Sequence, residues 1–233
     1  MRRGPAALWL VRHGESEGNV AREAAYRDSL EEIGLTTRDA DVPLSRLGEE
    51  QSRAFGRWLA AQPEDLRPTV VLSSPYVRAL ETGRIALDAG GAALAGLGID
   101  VDDRFRDREM GILDGLTWRG ILAKHPEEAE RKRRLGKFYH RPPGGESWAD
   151  ICLRLRSGYA DVAHELPAER VLVFTHDAVI QLTRVIVEGM DEETAVRISD
   201  ETPYENAALT SYEQEPGGYR LTAFNEVVAA PPA

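Results

Sequence analysis

The stretch Ala-Leu-Trp-Leu-Val-Arg-His-Gly-Glu-Ser-Glu-Gly-Asn occupies residues 7–19 and changes character near its middle. Its first five residues, 7–11, are apolar, which is typical of a buried strand. The apolar run ends at Arg12 and His13, and Gly14 then permits a sharp turn. An imidazole and a guanidinium are therefore expected at the carboxyl end of a strand, which is where ligands bind in open α/β sheets.

The residue types that follow this strand suit an anionic ligand. A neutral imidazole such as that of His13 is a good nucleophile near neutral pH and can carry a covalent intermediate. The Arg12 guanidinium stays protonated, so it cannot be a base, but it can hold a phosphate or carboxylate with two parallel hydrogen bonds. Ser16 and Asn19 add neutral donors for anionic oxygens. An Arg-His pair alone is more often a solvated strand end, whereas the pattern Arg-His-Gly-Glu-Ser-x-x-Asn favours a site.

A second segment places another guanidinium near the same sheet edge. Residues 69–72 are rich in β-branched side chains and predict a buried strand. Ser74 is then expected to cap a helix with Pro75 at its first position, which puts Arg78 in the first helical turn. Because the helix dipole disfavours a cation at that end, a nearby anion explains Arg78 better than a surface arginine does.

A third segment repeats the pattern with an imidazole. Residues 171–174, Val-Leu-Val-Phe, predict a strand that leads into Thr-His-Asp, and a helix is expected at residues 178–189. A single histidine is usually a core residue, but His176 is the second histidine at a strand's carboxyl end, which favours a functional role. We therefore expect His13 and His176 to face one anion-sized hollow.

Together these motifs resemble the histidine phosphatase superfamily, which includes the cofactor-dependent phosphoglycerate mutases. The resemblance rests on Arg-His-Gly-Glu-Ser from residue 12, on Ser-Ser-Pro-x-x-Arg-Ala-x-x-Thr from residue 73 and on the later strand-end histidine. It implies that His13 is phosphorylated on a ring nitrogen and that Arg12 and Arg78 bind the phosphoryl group. It also implies that His176 donates a hydrogen bond to the phosphoryl oxygens and stabilises the transferred charge.

The resemblance leaves three carboxyl groups as candidates for the proton donor. The segment Arg-Phe-Arg-Asp-Arg-Glu-Met-Gly from residue 104 resembles the family's Leu-Arg-Glu-x-x-x-Gly, whose glutamate donates and accepts the proton. Asp107 stands at that position, although its side chain is one methylene shorter, and it is assigned the role. Glu109 replaces it if the loop is shifted in register. Asp177 competes as well, because a His-Asp pair supplies the donor in the acid-phosphatase branch. Glu109 and Asp177 are both predicted to lie beside the substrate.

The order of predicted elements indicates an α/β fold, a three-layer sandwich with a mostly parallel central sheet and helices on both faces. The length fits one domain, residues 1–233, with a small helical cap inserted at about residues 112–147. The charged run at residues 127–134 is typical of a solvated helix face. Three basic residues at the cap are nevertheless considered for contact with a second anionic group: Arg133, Arg134 and Arg141. Further predictions are a helix at 21–32, a helix capped by Ser45, strands at 206–212 and 219–224, and a disordered tail at 229–233.

The composition narrows the possible functions of the protein and its possible location in the cell. The net charge of −10 argues against binding to nucleic acid or to an anionic membrane by bulk electrostatics. No apolar run approaches the ~20 residues that span a bilayer, and the apolar run before Arg12 is too short for a secretory signal. The single cysteine, Cys152, excludes an internal disulfide and fits a reducing cytosol, so a cytoplasmic protein is expected. No cluster has metal-ligand spacing, and neither metal nor cofactor is expected.

The resemblance implies a phosphate-monoester hydrolase that acts on a small phosphorylated metabolite through a phosphohistidine on His13. The alternative is phosphoryl transfer of the phosphoglycerate mutase type. Mutases often carry a tryptophan between the positions of Ser16 and Asn19, and its absence here favours the phosphatase. A second alternative is a non-catalytic protein that binds a phosphorylated ligand with the same fold. The sequence leaves open the substrate, the donor and the oligomeric state, with a homodimer among the options.

Overall fold

The computed structural model describes residues 4–228, so the tail predicted at residues 229–233 lies outside the described residues. The strands are β1 (Ala7–Arg12), β2 (Val70–Ser73), β3 (Ile99–Val101), β4 (Arg170–Thr175), β5 (Leu209–Glu215) and β6 (Gly218–Glu226). The α-helices are α1 (Glu17–Arg27), α2 (Arg46–Ala60), α3 (Val77–Ala89), α4 (Trp118–Lys124), α5 (Pro126–Tyr139), α6 (Trp148–Glu165), α7 (Asp177–Val187) and α8 (Glu192–Glu201).

The six strands form one sheet in the order β3-β2-β4-β1-β5-β6. The first four strands in that order are parallel, with Leu10 opposite Val173 and Val71 opposite Leu172. The remaining pairs, β1 with β5 and β5 with β6, are antiparallel. The predicted α/β class with a mostly parallel sheet is confirmed. Because β1, β2 and β4 run in one direction, the segments that follow them meet at one sheet edge.

Helices cover both faces of the sheet. Side chains alternate along β4, so that Val171 and Val173 pack with residues of α6 and α7, whereas Leu172 and Phe174 pack with residues of α2 and α3. Both sets of β4 side chains are buried. This explains why the strand is an uninterrupted apolar run, and it confirms the three-layer arrangement.

Two predicted helix boundaries are wrong for reasons of capping. Helix α1 begins at Glu17 rather than at residue 21, because Ser16 and Asn19 form a capping box in which each side chain accepts from the other residue's backbone N–H. Helix α3 begins at Val77 rather than at Pro75. The Ser74 hydroxyl accepts from the backbone N–H two residues later and so closes a turn ahead of the helix. Arg78 still lies in the first turn of α3.

Residues 112–147 contain α4 and α5, the two helices that lie where the cap is predicted. Helix α5 is interrupted at Gly136, whose φ of 76° is accessible to glycine. Glu130 and Arg133 form an ion pair on its exposed face, as expected for a solvated charged run. Within residues 4–228 no helix has the length and apolar character needed to cross a membrane.

Candidate active site

The turn after β1 brings the His13 imidazole to the carboxyl edge of the sheet. The backbone N–H of His13 donates to the Thr175 carbonyl (2.9 Å) and so extends the parallel ladder past β1. The N–H of Gly14 donates to Thr82 Oγ1 (3.0 Å). A Cβ on Gly14 would lie 2.5 Å from the Gly48 carbonyl oxygen, so the close approach of α2 requires glycine here. The turn is therefore fixed by contacts on both sides.

The hydrogen bond of the His13 ring defines which nitrogen is free. His13 Nδ1 lies 2.7 Å from the carbonyl oxygen of Gly14. A carbonyl can only accept, so Nδ1 carries the hydrogen and Nε2 keeps its lone pair. Nε2 has no hydrogen-bond partner within residues 4–228. The ring is buried at the wall of a cavity and presents a nitrogen capable of nucleophilic attack.

Burial and positive charge together keep this imidazole neutral. The pKa of His13 lies well below its ordinary value of 6.5, first because the ring is buried and then because Arg12, His176 and Arg78 place positive charge around it. The same charges that would hold an anion therefore also maintain the free lone pair.

We expect the His13 imidazole to remain neutral below the pH at which a free histidine titrates. Because its pKa is lowered, the neutral form still predominates at pH 6.5, and protonation requires more acidic solution. An NMR titration that follows the His13 ring, with signals assigned by comparison with His13→Gln, should show no transition between about pH 8 and pH 6.5. A midpoint at or above pH 6.5 would contradict the electrostatic description of the ring.

Arg12 is anchored at one end and only loosely paired at the other. Its Nη1 donates to the Tyr204 carbonyl, and its Nη2 lies 3.9 Å from Asp177 Oδ2. Its Nε is buried without a partner among the described residues. The guanidinium thus retains N–H groups that an oxyanion could accept from.

Arg78 is held by two carboxylates. Its Nη1 donates to the Asp39 carbonyl (2.6 Å), and its Nη2 donates to Asp39 Oδ2 (3.1 Å) and Asp107 Oδ2 (2.8 Å). The Arg78 side chain is 5% exposed, whereas that of Asp39 is 40% exposed. The burial of Arg78 is thus compensated by acceptors from two different loops.

His176 lies behind the cavity wall. Its side chain is completely buried, and its ring centroid is 5.2 Å from that of His13. Its Nε2 is 2.8 Å from Ser74 Oγ, and its Nδ1 is 3.3 Å from Asp107 Oδ2. Of the two ring nitrogens, Nδ1 has no hydrogen-bond partner among the described residues, so it is the one available for the predicted hydrogen bond to a phosphoryl group.

The carboxyl group of Asp107 is held in its ionised form. Burial opposes ionisation, but His176, Arg78 and the backbone N–H of Arg108 outweigh it and keep the pKa of Asp107 well below its ordinary range. Asp177, by contrast, is 51% exposed on its side chain, and its Oδ1 accepts from the Ala178 N–H at the start of α7. The two candidate donors thus differ in burial and in partners.

Glu109, which is predicted to lie beside the substrate, is placed outside the lining of the cavity. Its carboxylate accepts from the Tyr76 hydroxyl (2.7 Å), and the residue does not line the cavity. Ser16 lines the cavity, but its hydroxyl donates to Asn19 Oδ1 as part of the cap of α1. Asn19 Oδ1 also accepts from Asn206 Nδ2. The Nδ2 group of Asn19 has no hydrogen-bond partner among the described residues, so its N–H groups are free to donate to a ligand.

One cavity of about 420 Å³ joins most of the predicted residues, a size typical of small-molecule sites. The predicted residues that line it are Arg12, His13, Ser16, Asn19, Arg78, Asp107 and Asp177. The three arginines considered for a second anionic group, Arg133, Arg134 and Arg141, do not line the cavity. Arg133 and Arg141 pair instead with Glu130 and Asp150. Within residues 4–228 no group of His, Cys, Asp or Glu is arranged to hold a metal ion.

Several residues at the site were missed from the sequence, and three of them are acidic or amide side chains. Asp39 and Asp114 line the cavity, and burial together with Asp39 raises the pKa of Asp114. Asn206 donates from Nδ2 to the His13 carbonyl (3.0 Å) and so fixes the nucleophile's backbone. Asp39 and Asp114 lie in weakly patterned loops. For Asn206 a usable signal existed: a polar residue stands just before the late apolar run that returns beside β1.

Comparison with known proteins relates the chain to one family. The family model described as "Histidine phosphatase superfamily (branch 1)" matches residues 8–227. A protein named 2,3-bisphosphoglycerate-dependent phosphoglycerate mutase 2 from Gloeobacter violaceus is 32% identical over 198 residues, which cover 84% of this chain and 82% of that protein. A Bacillus subtilis protein named uncharacterized phosphatase PhoE is 26% identical over 219 residues, which cover 94% of this chain and 94% of that protein.

Solved structures share the fold. The α-ribazole phosphatase from Shigella flexneri superposes with a TM-score of 0.74 at 20% identity, and the match covers 95% of this chain and 96% of that one. At this identity the likeness concerns the fold alone. The named relatives by sequence include both mutases and phosphatases.

Proposed function

The chain belongs to the histidine phosphatase superfamily, and from this premise we propose that it hydrolyses monoesters of phosphate through a phosphohistidine on His13. The observation that carries the proposal is the free Nε2 of a neutral, buried His13 at a cavity to which Arg12 and Arg78 bring positive charge. The chain's net charge of −10 makes such a local concentration of cations necessary for any phosphate site.

In the first step, His13 Nε2 attacks phosphorus in line with the ester oxygen. The P–N bond forms as the P–O bond to the leaving group breaks, and a carboxylic acid gives its proton to the departing oxygen. The ring becomes positively charged on phosphorylation, and the hydrogen bond from Nδ1 to the Gly14 carbonyl stabilises that charge. We assign the acid to Asp107, which lines the cavity beside Arg78.

In the second step, water attacks phosphorus and the P–N bond breaks. The same carboxylate accepts the proton that the water loses, and inorganic phosphate leaves. Arg12 and Arg78 hold the non-bridging oxygens in both steps, so positioning and electrostatics supply most of the acceleration. His176 supports this arrangement through its contact with Asp107.

Arrival of the substrate changes the protonation of Asp107. In the absence of a ligand, Arg78 and His176 favour the carboxylate. A phosphoryl group brings negative charge and competes for Arg78, and both effects raise the pKa of Asp107. Binding of a dianion thus converts a carboxylate into the acid that the first step needs.

Hydrolysis is preferred over mutase transfer because of the segment between Ser16 and Asn19. Mutases often have tryptophan there, and this chain has Glu17 and Gly18. A mutase must also keep water from its phosphohistidine while the bound product turns round.

The proposal is tested by giving the protein 3-phosphoglycerate and p-nitrophenyl phosphate, with 2,3-bisphosphoglycerate added so that a mutase can start. Phosphorus NMR then measures inorganic phosphate and 2-phosphoglycerate in the same sample. We expect phosphate release from at least the aryl ester and no faster formation of 2-phosphoglycerate. Formation of 2-phosphoglycerate ahead of phosphate would establish the mutase, and phosphate binding without any turnover would establish a binding protein.

A further inference from the structure

Asp39 accepts hydrogen bonds from both terminal nitrogens of Arg78, the predicted phosphate-binding arginine. Its carboxylate accepts from Arg78 Nη2 at 3.1 Å and its backbone carbonyl accepts from Nη1 at 2.6 Å. Asp39 lies on the short 3₁₀ turn Asp39–Asp41, lines the cavity and is partly exposed, while Arg78 behind it is buried. Because both residues line the cavity, an oxyanion bound there would compete with the Asp39 carboxylate for Arg78 Nη2.

The charge of Asp39 is not needed to neutralise Arg78. Asp107 already pairs with the same nitrogen at 2.8 Å, so two carboxylates share one guanidinium. The Asp39 carboxylate also acts on Asp114, which lines the same cavity, because burial and then the charge of Asp39 raise the pKa of Asp114. A carboxylate beside the place where a phosphate dianion binds repels the dianion and so weakens its binding.

The carboxylate of Asp39 can leave Arg78 without moving the chain. A rotation about its side-chain bonds releases Nη2, while the bond from Nη1 to the Asp39 carbonyl remains. The backbone of the turn is held by bonds from Asp41 N–H to the Arg38 carbonyl and from Val42 N–H to the Asp39 carbonyl, and neither bond involves the Asp39 carboxylate.

We propose that Asp39 is a phosphate-release residue, whose carboxylate holds Arg78 while the cavity contains no oxyanion, gives way to a phosphoryl group, and competes with inorganic phosphate for Arg78 afterwards. The inference rests on the proposed hydrolysis for the identity of the departing anion. Asp39 acts through Arg78 and has no part in bond making, so it is a positioning residue. Its effect is to weaken the binding of the product and to hasten its departure.

The test compares Asp39→Asn with Asp41→Asn, because both remove one negative charge from the same turn and Asp41 forms no hydrogen bond or ion pair with Arg78. Inorganic phosphate is the probe, and its affinity is measured by calorimetry and as the inhibition constant against an aryl phosphate. We expect Asp39→Asn to tighten phosphate binding about tenfold, the worth of one charge-assisted hydrogen bond. The Michaelis constant should fall with it, and Asp41→Asn should change both constants less than twofold.

The sign of the change separates the possible roles. If Asp39 merely supports the position of Arg78, its replacement weakens phosphate binding, and that result would overturn the proposal, as would equal effects of the two variants. The calorimetric arm needs no turnover. Tighter phosphate binding in a protein that hydrolyses nothing would leave the role of Asp39 standing and reject the proposed hydrolysis. Hydrolysis by the unaltered protein, with phosphate affinity unchanged in Asp39→Asn, would support the proposed hydrolysis and reject the role of Asp39.

Discussion

His13→Ala should lower kcat/KM for an aryl phosphate by about 10⁴-fold or more, because the proposed covalent intermediate forms on this ring. His13 lines the cavity, and its Nε2 has no hydrogen-bond partner among residues 4–228, whereas His176 does not line the cavity. The measurement is the initial rate of nitrophenol release over a range of substrate concentrations.

The matched control is His164→Ala, which removes an exposed histidine from α6, away from the cavity. It should retain the activity of the unaltered protein. Thermal unfolding of both variants checks that the fold is kept. Substantial activity in folded His13→Ala would mean that the phosphoryl group passes to another residue or directly to water.

Asp107→Asn should depend on the leaving group. With an alkyl phosphate, whose alkoxide needs a proton as it departs, kcat/KM should fall by about 10²–10⁴-fold. With an aryl phosphate, whose phenolate leaves without help, the fall should be less than about tenfold. The ratio of kcat/KM values for the two esters is the informative quantity, because it reports phosphorylation of the enzyme and cancels a general loss of binding.

The same ratio measured for other carboxyl groups identifies the donor. Asp177→Asn and Asp114→Asn each alter a residue that lines the cavity, and Glu109→Gln alters one that does not. If one of these variants shows the dependence on the leaving group and Asp107→Asn does not, that residue is the acid. An unchanged ratio in Asp107→Asn would thus refute its assignment even if overall activity fell.

The fold was predictable because its central features are encoded locally. The apolar runs of β1 and β4 could hardly be anything other than buried strands, and the side chains that end them had to meet at one edge of a parallel sheet. Hence the shared cavity edge of Arg12, His13 and Arg78 was accessible to sequence reasoning. Helix starts were less accessible. From the sequence alone, a serine that caps a helix, such as Ser16, cannot be distinguished from a serine that donates a hydrogen bond to a phosphate.

The partners of the site residues were beyond the sequence. Asp39 and Arg78 are 39 positions apart, and the loop that carries Asp39 has no periodicity from which its position could be inferred. The position of Glu109 could not be predicted for the same reason, because its hydrogen bond with the Tyr76 hydroxyl depends on how two loops pack. Long-range contacts between loops are set by tertiary packing, and local pattern does not report them.

The central claim is that His13 carries the phosphoryl group, and rapid-quench trapping tests it most directly. The protein is mixed with an excess of ³²P-labelled aryl phosphate, quenched in alkali, digested and mapped by mass spectrometry. We predict an acid-labile phosphoryl group on the peptide that contains His13, formed within the first turnover and lost at the rate at which inorganic phosphate appears. Phosphate release with no such intermediate, or with the label on His176 or on an acid-stable side chain, would contradict the claim.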